Sequence, residues 1–368
     1  MYCSAGVGAS RSHRLAQHSG AFVTMSIVVV GAGAIGLLVA GRLAQAGEPA
    51  VLLARPGVAE AIERGGLRVG QAGLPAQTIA ALPTITSPDA LRGGPPSLAI
   101  LCVKGYDTAS ALPALADLQP RAILTLQNGI GNEELLAVRF GADQIVSGAI
   151  TTSVEVEAPG QIAVAKAGGI GLAPMTPAGR AAANAAAQAL GRAGFAIGQH
   201  ADYRALKWSK ALLNMLGNAT AAILDMPVAE VYADRRLVAV ERRAFGEALA
   251  VMRRRDIRPI NLPRYPAAVL ALAMRWLPPA ALDPLLRQVV AGGRGAKPPS
   301  LQLDLARGNR RSEGEFLYGA IARAAASAGV PAPVNAALWA TLESIASGRT
   351  GWEQFRRQPE RLLAVLSS

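Results

Sequence analysis

Three observations predict an α/β protein whose N-terminal part is built on a mostly parallel sheet and whose C-terminal part is all-α. A continuous β-branched run at residues 27–30 leads straight into a glycine-rich turn and an apolar helix pattern. Apolar runs then alternate with helical or turn-rich stretches up to residue 150, the pattern of parallel strands joined by crossovers. Beyond about residue 203 nearly every long segment has helical periodicity instead.

The first strand, IVVV at 27–30, has no polar face and is therefore expected to be buried on both sides. Residues 34–46 form the following helix, stopped by Gly47, and residues 50–53 the second strand. Further strands are expected at 98–103, 123–126 and 144–150. From 151 to about 172 the pattern changes to short strand-like pieces around Pro159-Gly160 and Gly168-Gly169. The sheet is thus expected to finish with antiparallel pairing near its edge. A helix is expected at 178–193, and later ones at 205–224, 228–255, 266–276, 301–307, 313–328 and 334–347. The chain divides on this reading into a tail, residues 1–24, a sheet-based domain, 25–199, and a helical domain, 200–368.

The 368 residues, 51% of them hydrophobic, suffice for two cores. The two cysteines, Cys3 and Cys102, exclude a disulfide framework and a cysteine zinc site, and fit a reducing cytoplasm. A net charge of +12 asks for an anionic partner. The arginines are scattered, however, and clusters such as Arg253-Arg254-Arg255 and Arg310-Arg311 read as solvated faces. With no zinc finger or aromatic RNA-binding motif beside them, a phosphorylated cofactor and a carboxylate substrate are preferred to nucleic acid. The apolar stretch 266–277 is broken by Arg275 and followed by Pro278-Pro279, too short to span a bilayer, so no membrane partner is expected. Residues 1–24, with Arg11, Arg14, several serines and no acid, have the composition of a transit peptide. Met25, directly before the first strand, favours an upstream extension or a disordered tail.

The string VVVGAGAIGLL sets Gly31, Ala32, Gly33, Ala34, Ile35 and Gly36 between a strand and a helix. Glycines there permit a tight turn and let backbone approach a pyrophosphate, which the unpaired amides and positive dipole of the helix N-terminus attract. The strand, helix and next strand around it make this a Rossmann-type dinucleotide site. An acid after the second strand would bind the ribose hydroxyls of NAD; Arg55 stands there instead and suits the 2′-phosphate of NADPH.

His200 is the one histidine outside the leader, which holds His13 and His18, so histidine acid–base chemistry and zinc are poorly supplied. Tyr203-x-x-x-Lys207 has the spacing of a short-chain dehydrogenase pair, but the glycine pattern and upstream serine of those enzymes are missing, and the match is taken as coincidence. Within ALKWSKALLNMLGNATAAIL, Lys210, Asn214 and Asn218 recur every four residues and form one helical stripe, rising roughly 6 Å per step. A narrow polar line among Trp208, Leu212, Leu213, Met215 and Leu216 suits a helix lining a cleft, or one whose polar groups other helices satisfy. A lysine there can polarise a keto oxygen and donate a proton as hydride arrives.

The strings VVGAGAIG, LCVKGYDT, LQNGIGNEE, KWSKALLNMLGNATAAIL, SLQLDLARGNRRSEGEF and AGVPAPVN, in this order, resemble the ketopantoate reductase (2-dehydropantoate 2-reductase) family over nearly everything after Met25. The resemblance implies NADPH-dependent reduction of a 2-oxo acid, with Lys210 as general acid and Asn214 and Asn218 contacting substrate. It further implies that Ser300 meets the substrate carboxylate, that Glu313 binds substrate or tunes the lysine, and that Lys104 and Asn128 lie at the cofactor. Each residue also has a plain structural reading: Asn128-Gly129 a turn, Lys104 a surface cation, Ser300 a helix cap, Glu313 a first-turn charge. Where many members carry paired serines, this chain reads Lys297-Pro298-Pro299-Ser300, after a long proline-rich stretch from Arg255. The GGRGAK segment, with Arg294 and Lys297, is expected to be a flexible connection or a cationic lid. Dehydrogenation of another branched 2-oxo or β-hydroxy acid, or NADPH sensing without catalysis, is compatible with the same motifs. A homodimer through the extended helical segment is a further expectation.

Overall fold

The computed structural model describes residues 26–71, 73–291 and 298–367; the 1–24 leader and the 292–297 segment, with Arg294 and Lys297, lie outside the described residues. The strands are β1 (Ile27–Val30), β2 (Ala50–Leu53), β3 (Leu67–Gln71), β4 (Leu74–Ile79), β5 (Thr84–Ile85), β6 (Leu98–Leu101), β7 (Ile123–Thr125), β8 (Ile145–Ile150), β9 (Ser153–Ala158), β10 (Gln161–Lys166), β11 (Gly169–Pro174) and β12 (Ala196–Gln199). Helices α1 (Ala34–Gln45), α2 (Pro56–Gly65), α3 (Thr108–Leu118), α4 (Asn132–Phe140) and α5 (Arg180–Arg192) run between them.

Eight strands form one sheet in the order β12-β11-β8-β7-β6-β1-β2-β5. The absence of a polar face on β1 has the expected cause. Ile27 and Val29 enter one apolar cluster with Leu37, Leu38 and Leu43 of α1, while Val28 and Val30 enter another with Leu115 and Leu118 of α3. From β1 the chain builds outward through β2, then crosses to β6 on the other flank, so the order reverses beside β1. In open α/β sheets ligands settle outside the carboxyl ends of the strands at such a reversal.

The expected antiparallel pairing near the sheet edge is present: β11 runs antiparallel to β8 and β12 adds parallel to β11, so the last two strands both run opposite to the rest. β9 and β10 leave the main sheet altogether and join β3 and β4 in a second sheet, order β4-β3-β10-β9. The strands β3 and β4 have no counterpart in the sequence reading because β4, exposed along nearly its whole length, shows no apolar alternation. This sheet packs on the outside of α1, where Gly41 leaves no room for a side chain: a Cβ there would stand 2.6 Å from Leu67 and 2.8 Å from Ile79.

After β12 the described chain is helical: α6 (Tyr203–Met215), α7 (Ala219–Leu224), α8 (Val228–Val231) and the long α9 (Arg235–Arg254) open the series. Asp202 caps α6 through the Arg204 amide, and Asp234 caps α9 through that of Arg236, each at 2.8 Å. The expected helix at 205–224 is interrupted at Leu216–Asn218, and that at 228–255 is interrupted before the Asp234 cap. Gly217 is the reason legible in the backbone of the first break; its φ of +61° stops a right-handed helix. Phe245, Val251 and Met252 of α9 fill the centre of the helical core beside Trp208, Tyr232 and Tyr318.

Candidate active site

Register fixes which loops share an edge. Val30 of β1 stands opposite Leu53 of β2 and Leu101 of β6, and Leu101 opposite Thr125 of β7. The segments that follow, carrying Gly31, Arg55, Lys104 and Asn128, therefore emerge together at the carboxyl edge. The Gly31 loop and the Cys102–Val103 loop meet tightly at the order reversal. A Cβ on Gly31, whose φ is +103°, would reach Val103 at 2.7 Å, and one on Gly36 would overlap the Gly31 carbonyl. Gly33 behaves oppositely. It precedes Ala34 and Ile35 at the N-terminus of α1, and nothing lies within 4 Å of the place its Cβ would take. That opening faces a helix end with no acidic residue in its first turn, which is what an incoming phosphate needs. Ala32 links the two glycines, half-buried against the core. Arg55 is exposed directly after β2 and makes no ion pair among the described residues. Burial pushes the Cys102 thiol beside this loop well above the ordinary thiol range.

Lys104 reaches from the sheet edge into the helical part. Its ammonium pairs with Glu313 and stands 3.4 Å from Asp304, both carboxylates largely buried. Asn309 donates to the other Asp304 oxygen at 3.2 Å. The segment around Glu313 is clamped onto the sheet loops by more than charge: the Ile130 amide donates to the Phe316 carbonyl at 2.7 Å, and the Arg311 guanidinium lies 5.1 Å from the Tyr106 ring centre. Gly105 and Gly129 allow this approach, since a Cβ on either would come within 3 Å of Phe316. Burial lowers the Lys104 pKa, but Glu313 and Asp304 raise it by more, so it stays above the ordinary lysine value. A raised folded-state pKa gives stability that is complete below the unfolded value and lost as pH rises through the folded one. The stability difference between wild type and Lys104→Met, followed by urea denaturation, is therefore expected to stay level from about pH 7 to about 10 and to shrink above that.

Helix α6 is fastened to the same loops from the other side. Lys207, 4% exposed, donates to the Gln127 carbonyl at 2.5 Å and the Gly148 carbonyl at 3.3 Å and pairs with Glu133 at 3.1 Å; Ser147 also donates to Glu133, at 2.8 Å. The Tyr203–Lys207 spacing thus serves an anchor rather than a dehydrogenase pair. Gln127 continues the connection, its amide donating to Thr108 at 2.7 Å and to the Lys104 carbonyl at 3.3 Å. One turn beyond the anchor stands Lys210, half-buried, and one turn further Asn214 donates to the Asn128 side chain at 3.3 Å. Asn218, 5% exposed, donates to the Asn214 carbonyl at 3.0 Å and accepts from the Leu301 amide at 3.4 Å. It thereby ties the start of the helix Ser300–Ala306 to α6, with Ser300 exposed as that helix's first residue after Pro299.

The geometry thus connects Lys104, Asn128, Asn214, Asn218 and Glu313 through shared loops and hydrogen bonds, while Arg55 stands apart beyond β1. His200, the single described histidine, is remote: its ring lies against Gly171 and Gly198 of the far strands β11 and β12, and burial lowers its pKa. Among the described residues no group of three histidines, cysteines or carboxylates is placed to hold a metal, and no helix is long and apolar enough to cross a membrane. Gln127, Glu133 and Asp304 escaped the sequence reading, and Lys207 entered it only as a coincidental match. The signal available for Asp304 was a charge inside the apolar LQLDL pattern, at a position buried once folded.

Family models described as ketopantoate reductase PanE/ApbA and as its C-terminal part match residues 27–177 and 202–346. A 2-dehydropantoate 2-reductase of Pyrococcus horikoshii is 30% identical over 326 residues, 87% of this chain and 97% of that protein. One from Archaeoglobus fulgidus is 28% identical over 88% of this chain and 98% of its own. Among solved structures, a PanE/ApbA family ketopantoate reductase from Ralstonia eutropha superposes with a TM-score of 0.74 at 28% identity, covering 88% of this chain and 99% of that one. The fold is shared with a D-mandelate dehydrogenase solved with NADH and anilino(oxo)acetate, TM-score 0.73 at 21% identity, with 88% and 99% covered.

Proposed function

The chain belongs to the ketopantoate reductase PanE/ApbA family, and on that premise we propose that it reduces the 2-oxo acid 2-dehydropantoate to pantoate with NADPH. The observation that carries the reading is the meeting of the glycine-loop edge of the sheet with α6, made by the Asn214–Asn128 hydrogen bond one turn from Lys210. A nicotinamide cofactor supplies the hydride when bound. The open space at Gly33 and the acid-free start of α1 fit its pyrophosphate, and Lys104 and Asn128 lie at the loops next to it. Lys210 polarises the keto oxygen and donates the proton that turns it into a hydroxyl, so the carbon gains a hydride and the oxygen a proton. Asn214 and Asn218 hold the polar end of the substrate, and Ser300 and Glu313 complete the wall on the far side.

NADPH oxidation measured with 2-dehydropantoate and a panel of other 2-oxo acids tests the activity; no oxidation with any of them defeats it. The choice of NADPH over NADH rests on Arg55. Losing its charge-assisted bonds in Arg55→Ala should weaken NADPH binding by about tenfold to a hundredfold and leave NADH within about twofold. Equal losses for the two cofactors in a fluorescence titration would remove Arg55 from that role.

A further inference from the structure

The interruption between α6 and α7 is held open by groups that no catalytic reading uses. Met215 and Ala219 are four residues apart, so in a continuous helix the Ala219 amide would donate to the Met215 carbonyl. Here the Tyr318 hydroxyl stands between them, donating to Met215 at 2.6 Å and accepting from Ala219 at 3.0 Å. The Asn218 amide also turns back to the Met215 carbonyl, at 3.2 Å. A second clasp comes from Glu241 of α9, a carboxylate only 3% exposed. One of its oxygens accepts from the Gly217 amide at 2.7 Å and from Tyr232 at 3.4 Å, the other from Thr220 at 2.5 Å. Gly217 takes φ +61° at this point, and a Cβ on it would come 2.8 Å from Val228.

A hydroxyl inserted into the helical ladder redirects everything beyond it. Asn218 is the first residue redirected. With the helix broken its side chain takes over the i to i−4 bond, reaching the Asn214 carbonyl, and its oxygen meets the Leu301 amide. We infer that Tyr318, with Glu241 behind it, is a positioning residue for substrate: its hydroxyl keeps the helix broken so that Asn218, joined to the Asn214 carbonyl and the Leu301 amide, sets the start of the Ser300 helix against α6 where the 2-oxo acid is to bind. Tyr318 touches neither substrate nor cofactor in this scheme. Its effect falls mainly on substrate binding, because the glycine loop and Lys104 are held by other contacts and Arg55 lies beyond β1.

The inference rests on the reductase reading, and its test separates the two. In Tyr318→Phe the ring remains packed and the Glu241 clasp on Gly217 is kept, but the hydroxyl that bridges Met215 and Ala219 is gone, so the variant is expected to fold with the break loosened and Asn218 displaced. Steady-state kinetics should show KM for the 2-oxo acid raised about tenfold, a smaller change in kcat, and an NADPH Kd within about twofold of wild type. A merely structural tyrosine would lower the melting temperature and leave KM alone, and that result overturns the inference. Should Tyr318→Phe yield no folded protein, Glu241→Gln, which keeps shape and weakens the second clasp, is read by the same KM-against-Kd comparison with the same two outcomes. A wild-type protein that reduces no 2-oxo acid defeats the underlying reading instead. In that case a crystal structure of Tyr318→Phe still decides whether the hydroxyl keeps the helix broken.

Discussion

In Lys210→Ala, kcat with 2-dehydropantoate is expected to fall by about 10²- to 10⁴-fold, the range a positioned general acid contributes, while NADPH binding stays close to wild type. Lys210 sits on the face of α6 that also carries Lys207 and Asn214, and both neighbours are held at known places. Lys207 is buried against the Gln127 and Gly148 carbonyls, and Asn214 touches Asn128. The backbone between those two fixed points is one unbroken helix, so Lys210 is delivered to the sheet edge by its spacing, without a loop that could adjust. Removing its side chain takes away the proposed proton donor and leaves the Lys207 and Asn214 contacts in place. Stopped-flow hydride transfer and cofactor fluorescence separate the two effects. Near-normal turnover in the variant rejects Lys210 as the acid, and loss of cofactor binding along with turnover shows a collapsed site instead.

The largest effect on stability is expected from Lys207→Met. Lys207 and Glu133 are 4% and 1% exposed, and the carboxylate also accepts from Ser147. Removing one member of a buried pair strands the other charge, at a cost of about 3–5 kcal/mol. Replacing both by apolar residues, as in Lys207→Met with Glu133→Leu, strands no charge and should recover much of the loss. Urea denaturation of the two singles and the double gives the coupling directly. A loss near 1 kcal/mol in each single, with no recovery in the double, would show a pair that acts like a solvated surface bridge. Activity supplies an independent reading, since the same clamp joins α6 to the loop that carries Asn128.

Much of the fold was legible because it is locally encoded. IVVV announces a strand covered on both faces, GAGAIG the turn and helix after it, and the alternation up to residue 150 the parallel sheet. The family resemblance was legible for a different reason, six motifs keeping one order along the chain. The second sheet was not, since β4 lies exposed and leaves no periodic trace. The broken helix was only half legible. Gly217 marks a weak point in the ALLNMLGNATAAIL string, but glycine inside a helical pattern is tolerated often enough that it does not by itself announce a break. The groups that hold the break open, Tyr318 and Glu241, are 101 and 24 residues further on.

By itself, then, the amino-acid sequence determined the α/β architecture, the glycine loop, the Arg55 position and the Lys210–Asn214 part of the stripe, while Asn218, expected on the same continuous helix, falls beyond the break at Gly217. Tertiary structure alone decided which side chains meet: Lys104 with Glu313 across 209 residues, Lys207 with the Gln127 carbonyl across 80, Tyr318 between Met215 and Ala219. The physical reason is that periodicity and turn chemistry report whether a residue is buried and on which face of its own element, and those are local properties. Which charge or hydroxyl it finds there depends on the order in which strands and helices are stacked, and that order is a property of the whole chain.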